Sequence, residues 1–543
     1  MGASISRKTA PCQQACPAGV DVPRYVRHVR DGRLRDALAV VRERIPFPLV
    51  CGAACFHPCE ARCARMQFDA SVAIRMLKRV AAEQGGAPEA RAALPASGRQ
   101  VAIVGSGPCG LTAAWYLAGQ GHRVTVFEAL PRSGGMLRFG IPAYRLPDGV
   151  IDADIAAIEA SGVTIRTSTR IVAADALLAD GFDAVLIASG AWRSAKLGID
   201  GEDAPHVLDG LAFLVQVNAG NAPILGERVV VVGGGNTAID AARVARRLGA
   251  QVVQVYRRSR AEMPAAPEEI EAALEEGVRI EYLQAPLRID ERGVTCVRMA
   301  LGERDASGRA RPEPVAGSDA LVPAATVIVA IGQQVELPAA ARLRRQDGAA
   351  VVDGETLATA TPGLFAAGDA VLGPASIIDA VAQGRRAAKA IDRFLGGTGS
   401  IDRDAAPAFA TQPRPPASRG TPRHDYPTIP IAQRLAGFDT AQSAYDVPTA
   451  RREAMRCLSC DLRHYAVAVN PVLCKDCGYC QEVCTLGVFT RSSRFNSAGY
   501  LPAVATHPDR CMGCLNCRTS ALISRSLSRR KRRPRVWRRP EPA

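Results

Sequence analysis

The sequence predicts a multidomain α/β protein: a helical cysteine-rich domain first, two α/β sheet domains in the middle, and a small α+β cysteine-rich domain last. Three observations carry this. A strand, glycine turn, helix, strand pattern occurs at 99–129 and again at 227–258. From 99 to 395, short apolar strands alternate with helical patterns, as in an α/β sheet. Cysteines crowd the two ends: six of 17 lie between 12 and 63 and nine between 457 and 517, leaving Cys109 and Cys296 as packing residues between them.

Composition sets the outer bounds. At roughly 150 residues per domain, a chain of 543 residues holds three or four domains. Hydrophobic residues at 48% and charged residues at 22% exclude a disordered chain, a fibre and a small disulfide scaffold. No apolar run approaches the roughly 20 residues of a membrane span, and the first residues lack the apolar core of a secretion signal. The expectation is a cytoplasmic protein, where clustered cysteines read as metal ligands rather than disulfides. The net charge of +15 is uneven: residues 518–543 carry ten Arg/Lys and one Glu, so the body is only mildly basic.

The elements follow in order. Residues 1–98 form the first domain, with apolar residues at helical spacing over 22–45 and 71–83 and a Gly/Ala/Pro linker over 83–98. In 99–129 the turn carries Gly105, Gly107 and Gly110. The first glycine permits the tight turn, the second lets backbone approach a pyrophosphate, and the third lets helix and strand pack closely. The phosphates then face free N–H groups at the helix N-terminus. Glu128, ending the second strand, can accept hydrogen bonds from a ribose diol. These are the features of a Rossmann-like dinucleotide site.

The second copy places Gly233, Gly235 and Ala238 at the fingerprint positions, with Asn236 and Thr237 opening the helix. Its second strand ends in Arg257 and Arg258 instead of an acid. Two guanidiniums there suit a 2′-phosphate and favour NADP(H) over NAD(H). Residues 399–450 read as a linker, 451–524 as the last cysteine-rich domain and 525–543 as a low-complexity basic tail. Just past Asn516 the sequence changes character, through either a shifted reading frame or a genuine basic tail.

The stretches PCQQACPAGVDVPRYV, PFPLVCGAACFHPCEARC, GGMLRFGIPAYRLP, GGGNTAIDAAR, YRRSRAEMPA and GLFAAGDAVLGPASIIDAVAQGRRAA resemble, in order, the glutamate synthase small subunit family of NADPH-dependent flavoproteins. That resemblance implies FAD at the first fingerprint and NADPH at the second. It also implies an NADPH domain (226–330) inserted into an FAD domain (99–225 and 331–398), with Gly368 and Asp369 returning to the FAD. In the resembled family a C-x-x-C lies just before the position of Cys12. Here SISRKTA stands there without a cysteine.

The iron–sulfur signals lie at both ends. Cys474, Cys477, Cys480 and Cys484 match the bacterial ferredoxin run, and Cys511, Cys514 and Cys517 repeat its first half. The fourth cysteine of each run ligates the other cluster, so Cys484 with Cys511, Cys514 and Cys517 forms one complete 4Fe–4S set. The set of Cys474, Cys477 and Cys480 lacks its partner, because Ala521 stands where a cysteine is expected and Cys457 and Cys460 are the only spare thiols nearby. At the other end, Cys12, Cys16, Cys51, Cys55, Cys59 and Cys63 are too few for two cubanes, which need eight. One 4Fe–4S cluster is expected there, with Cys16, Cys59 and Cys63 among its ligands and zinc as the alternative metal. His57, inside that frame, reads as structural. The whole chain is expected to hold one to three clusters.

The function that follows is electron transfer. NADPH gives a hydride to FAD, and electrons then pass singly to the clusters and to a redox protein partner. The last domain resembles the small subunit of 2-oxoacid:ferredoxin oxidoreductases, through NPVLCKDCGYCQEVCTLGVF. That implies a ferredoxin-type or 2-oxoacid oxidoreductase partner. The alternative is a glutamate synthase small subunit feeding a large glutamate-forming subunit. No membrane and no nucleic acid is expected as a partner, and no acid/base or nucleophilic catalytic residue stands out.

Overall fold

The computed structural model describes residues 9–86, 93–304, 308–340, 343–402, 422–462, 465–484, 486–511, 517 and 527–530. The first domain is built of short helices, chiefly α1 (Val22–Arg30), α2 (Leu34–Arg42), α3 (Pro48–Ala54) and α4 (Ile74–Gln84). α1 starts where the Asp21 carboxylate accepts the Arg24 N–H at 3.2 Å, with Pro23 in its first turn. Tyr25, Val26, Val29, Val40, Val41, Met76 and Leu77 form its buried core.

The middle of the chain folds as two parallel sheets. Its elements are β1 (Gln100–Val104), α5 (Pro108–Gly119), β2 (Arg123–Phe127), β3 (Thr164–Arg166), β4 (Ala184–Ile187), β5 (Val207–Asp209), β6 (Arg228–Val232), α6 (Asn236–Arg247), β7 (Gln251–Tyr256), β8 (Arg279–Tyr282), β9 (Thr326–Val329), β10 (Leu364–Ala366) and α7 (Ile377–Phe394). The first sheet has the order β10-β4-β1-β2-β3 and the second β5-β9-β6-β7-β8, all parallel. β4 and most of β1 and β6 are continuous apolar runs, as strands covered on both faces require.

β10 joins the first sheet after the whole second sheet has been laid down, so the second domain is an insertion. The chain enters and leaves it side by side, where Arg193–Ser194 and Gln333–Gln334 pair antiparallel. The inserted sheet begins before position 226, since β5 already belongs to it. An antiparallel sheet of Gln284–Asp290, Gly293–Arg304, Ala310–Pro314 and Ala320–Pro323 is added to the insertion. Nothing in the glycine fingerprints announces it.

Two expectations for the last part need correction. Residues 422–450 are not a free linker. Tyr445 is buried, and Arg434 reaches Glu275 at 2.9 Å on the inserted domain. Helix α8 (Val447–Met455) lies on α1 and α4, with Glu453 fully buried and accepting the Ala73 N–H at 2.9 Å. These anchors are single side chains spaced along a Pro-rich stretch, a pattern without periodicity. The basic tail also contains structure: Leu527–Arg530 pairs antiparallel with Tyr465–Ala468. A second ladder joins Phe489–Arg491 to Ala503–Ala505, giving the last domain paired strands around its cysteines.

The inserted domain is fixed to the first sheet domain by buried charge. Arg145 reaches Asp240 at 2.7 Å and Glu269 at 3.2 Å. The Tyr144 ring lies 3.8 Å under the Arg247 guanidinium and 4.7 Å under that of Arg243. Both arginines converge on Glu276, each at 2.7 Å. Burial works to raise the Glu276 carboxyl, but hydrogen bonds and charge from Arg243 and Arg247 outweigh it and bring it from 4.5 to about 2. Its pairing energy is therefore full above pH 4.5 and is lost as pH falls towards 2. Glu276→Ala takes the carboxylate from the buried Arg247, while Arg243 keeps Glu269, and should cost ~3–5 kcal/mol. Thermal melts across pH should show a lowered midpoint near neutrality and a gap to the parent that closes in acid. An unchanged midpoint at neutral pH would remove this clamp from the fold.

Candidate functional site

Both fingerprints open onto one cavity of about 1090 Å³. Gly105, Gly107, Glu128 and Asp369 line it from the first sheet domain, and Gly235, Asn236 and Thr237 from the inserted one. Ala54 and Phe56, on either side of Cys55, line it from the cysteine-rich helical domain. Three modules thus meet at a single space, larger than the roughly 300–1000 Å³ typical of small-molecule pockets.

The turns have the shape that a bound dinucleotide needs. Gly105 has φ +108°, and a Cβ there would lie 2.4 Å from the Ala188 carbonyl oxygen. Gly233 repeats this with φ +140° and 2.2 Å to the Ala330 carbonyl oxygen. A Cβ on Gly110 would lie 2.1 Å from the Gly105 oxygen, so α5 packs tightly under its own turn. At Gly107 and Gly235 a Cβ would meet no protein atom within 4 Å. These two positions leave backbone bare towards the cavity, at the N-termini of α5 and α6, where the helix dipole favours anions. Ala238, in the third fingerprint place of the inserted domain, is fully buried.

Glu128 is buried and pre-positioned. Its carboxylate accepts the Ser106 N–H at 3.0 Å, the Ser106 hydroxyl, and the Leu130 N–H at 2.9 Å. Oε2 takes both Ser106 donors, so Oε1, with the single Leu130 bond, keeps acceptor capacity for a diol. Asp369 follows Gly368, whose Cβ would strike the Cys109 side chain at 2.9 Å, so the returning turn sits directly on the first fingerprint. Burial, with a contribution from Asp379, raises the Asp369 carboxyl to about 7 despite the Ala375 N–H. The sequence left out the start of α7, where Ser376 and Asp379 form a reciprocal cap and Ser376 lines the cavity. A Ser three residues before an Asp was the signal available.

The two arginines at the end of β7 divide. Arg257 is exposed, whereas Arg258 is buried and donates from Nε to the Ala310 carbonyl at 2.9 Å. Burial raises the phenol of Tyr256, which precedes them, against the opposing charges of Arg258, Arg309 and Arg257. Arg309, from the added antiparallel sheet, is thus a third cation at this end that the fingerprint could not reveal.

The cysteines fall into neighbourhoods different from those expected. Lys78 is buried; burial would lower its ammonium, but the charges of Cys55, Cys51, Cys59 and Cys16 hold it raised. Burial raises Cys12, followed by Cys457, Cys63, Cys460 and Cys59. Cys457 and Cys460 therefore lie with the N-terminal frame, and Cys63 stands with Cys12 rather than only with Cys16 and Cys59. In the last domain Cys474, Cys477 and Cys480 line a small common pocket. Burial raises Cys480 to about 11, followed by Cys474, Cys477 and Cys517. Cys517 lies near enough for its charge to act on Cys480, while Cys484 and Cys511 are half-buried and Cys514 and Ala521 lie outside the described residues. Among the described residues no three such side chains close on a single ion. A cubane spreads its thiolates over four irons, whereas zinc draws all of its thiolates to ~2.3 Å from one centre.

His57 is structural. It has φ +39° and donates its N–H to Cys55 Sγ at 3.4 Å. Its Nε2 lies 2.6 Å from Glu268 of the inserted domain. Cys109 and Cys296 are buried as expected, although Cys109 also lines the cavity.

The bare positions give a test in which folding and binding separate. Gly107→Ala and Gly235→Ala should both fold, because their Cβ atoms meet no protein atom. Gly107→Ala should purify with flavin content cut several-fold. Gly235→Ala should keep its flavin while its KM for NADPH rises by about tenfold, or ~1.4 kcal/mol. Full flavin in the first and an unchanged KM in the second would show that neither turn touches a dinucleotide.

Comparison with known proteins identifies the family and its cofactors. Residues 99–384 match the model of the pyridine nucleotide-disulphide oxidoreductase family, and residues 5–89 match dihydropyrimidine dehydrogenase domain II, 4Fe-4S cluster. The chain is 42% identical over 501 residues to the NADP(+)-dependent formate dehydrogenase subunit beta of Moorella thermoacetica, covering 83% of this chain and 70% of that one. It is 43% identical over 433 residues to the NADPH-Fe(3+) oxidoreductase subunit beta of Geobacter sulfurreducens, covering 72% of this chain and 64% of that one. It is 34% identical over 422 residues to the glutamate synthase [NADPH] small chain of Escherichia coli, covering 71% of this chain and 88% of that one. No helix among the described residues is long and apolar enough to cross a membrane. The chain belongs to the pyridine nucleotide-disulphide oxidoreductase family and is an NADPH-dependent FAD and iron–sulfur oxidoreductase of electron transfer.

Proposed function

We propose that this chain is the NADPH-exchanging subunit of a larger redox enzyme and passes electrons between NADPH and a ferredoxin-type or 2-oxoacid oxidoreductase partner. The observation that supports it best is the shared cavity. Both dinucleotide turns and the wall of the N-terminal cysteine frame face one space. FAD supplies the conversion between two-electron and one-electron chemistry when bound. The protein's part is to bind, orient and shield. Gly105, Gly107, Gly110, Glu128, Gly368 and Asp369 would hold FAD, and Gly233, Gly235, Asn236, Thr237 and Ala238 would hold NADPH. Arg257 would meet the 2′-phosphate, supported by Arg258 and Arg309. Ala54 and Phe56 keep the cysteine frame against the same space.

A formate-oxidising partner is a second reading, favoured by the Moorella relative, whose match extends over 83% of this chain. A glutamate synthase role is less favoured. That relative matches only 71% of this chain, and its name leaves the last cysteine-rich domain without a purpose.

Anaerobic titration tests the proposal. NADPH should bleach the flavin, NADH should do so at least about tenfold less effectively, and added ferredoxin should then be reduced. Arg257→Glu should narrow the preference for NADPH by about tenfold, or ~1.4 kcal/mol in relative binding. A chain purified without flavin, or one that treats NADH and NADPH alike, would defeat the reading. Reduction of the flavin by formate in a purified complex, with no reaction with ferredoxin, would establish the second reading instead.

A further inference from the structure

The N-terminal frame holds six cysteines and lacks the C-x-x-C that its resemblance would place before Cys12. The structure brings a C-x-x-C to that frame from the far end of the chain. Two residues past the end of helix α8 stands Cys457-Leu-Ser-Cys460, and both flanks of that motif are fastened to the first domain. Ahead of Cys457, Arg456 is fully buried and donates to the Ser71 carbonyl at 2.9 Å, the Ala70 carbonyl at 2.7 Å and Asp69 at 3.0 Å. Its own carbonyl accepts from Arg65, two residues past Cys63, at 3.3 Å. After Cys460, Asp461 is buried and takes both terminal nitrogens of Arg27 at 2.6 and 2.8 Å.

The thiols so delivered are inside the protein. Cys12 and Cys460 belong to the same apolar core, and Cys63 and Cys457 pack against it. Inside the motif, Ser459 at φ +49° turns its N–H to Cys457 Sγ at 3.5 Å. His57 makes the same turn to Cys55 within the other group. Hydrogen bonds to sulfur of this kind accompany iron–sulfur ligation. Arg27 and Arg456 add positive charge beside these four thiols, as Lys78 does beside Cys16, Cys51, Cys55 and Cys59. Eight thiols in two groups of four fit two cubanes, each with a buried cation against its negative charge.

We infer that Cys12, Cys63, Cys457 and Cys460 hold a second N-terminal 4Fe–4S cluster, two of whose ligands come from the C-terminal segment. The assignment uses no property of the partner, so it stands or falls apart from the proposed acceptor. It removes Cys457 and Cys460 from the ferredoxin-like domain.

The test counts iron and acid-labile sulfide per flavin in the full chain, purified anaerobically. Cys12→Ser, and the pair Cys457→Ser with Cys460→Ser, should each lose about four irons and four sulfides. All three substitutions together should lose the same four, with flavin content unchanged. Losses that add to about eight, or no loss from the Cys457/Cys460 pair, would overturn the assignment. So would a Cys457/Cys460 loss that disappears once Cys474, Cys477 and Cys480 are serine. If the variants fail to fold, alkylation of the parent chain decides. Cys12, Cys63, Cys457 and Cys460 should be protected together and become reactive together as iron is chelated. Cys457 and Cys460 reacting while Cys12 and Cys63 stay protected would overturn the assignment, as would zinc in place of iron and sulfide.

Discussion

Hydride transfer needs two dinucleotides face to face, and the two turns that would hold them are 128 residues apart, from Gly105 to Gly233. Insertion brings them together, and the buried contact of Arg145 with Asp240 keeps them there. Asp240 is in α6, one turn beyond Asn236, so the charge that fixes the inserted domain is rigidly tied to the turn it presents. Arg145 also lies 5.7 Å from the Phe56 ring, which reaches in from the cysteine frame. One guanidinium thus touches all three modules that line the cavity. Moving the inserted domain away would expose or strand Arg145, Asp240 and Glu269 together, a costly change in a low-dielectric interior.

The cysteine groups extend this arrangement outward. Cys55 is flanked by the two residues that reach the cavity, which makes its group the one facing the flavin space. The group of Cys12 and Cys63 lies on the side where α8 arrives, and the chain continues from Cys460 to Cys474 in the last domain. His57, hydrogen-bonded both to Cys55 and to Glu268 of the inserted domain, ties the first group to the domain that would carry the nicotinamide.

Much of this was legible in the sequence. The glycine spacings, Glu128 and the apolar strands define the two parallel sheets because each is a local rule of backbone sterics. The insertion was legible only through resemblance, since β10 is too short to announce which sheet it joins. The added antiparallel sheet and Arg309 were hidden because they satisfy no motif. Residues 422–450 looked like a linker because Arg423, Tyr426, Arg434 and Tyr445 act singly against distant partners, and a pattern without a period reads as none. Spacing left Cys457 and Cys460 without a set, because only the folded chain shows that α8 lies on α1 and α4.

The pairing of Arg27 with Asp461 spans 434 residues. At about 5–20 residues per second, a ribosome takes roughly 20 to 90 s to cover that distance. Throughout that interval the first domain carries a guanidinium without its buried partner, and thiols that face water and oxidant. Its helices can form early, but the module reaches its final state only after residue 461 has been made. A cell making this protein must therefore guard a half-built domain while those 434 residues are added, and any truncation before residue 461 leaves that domain half-built indefinitely.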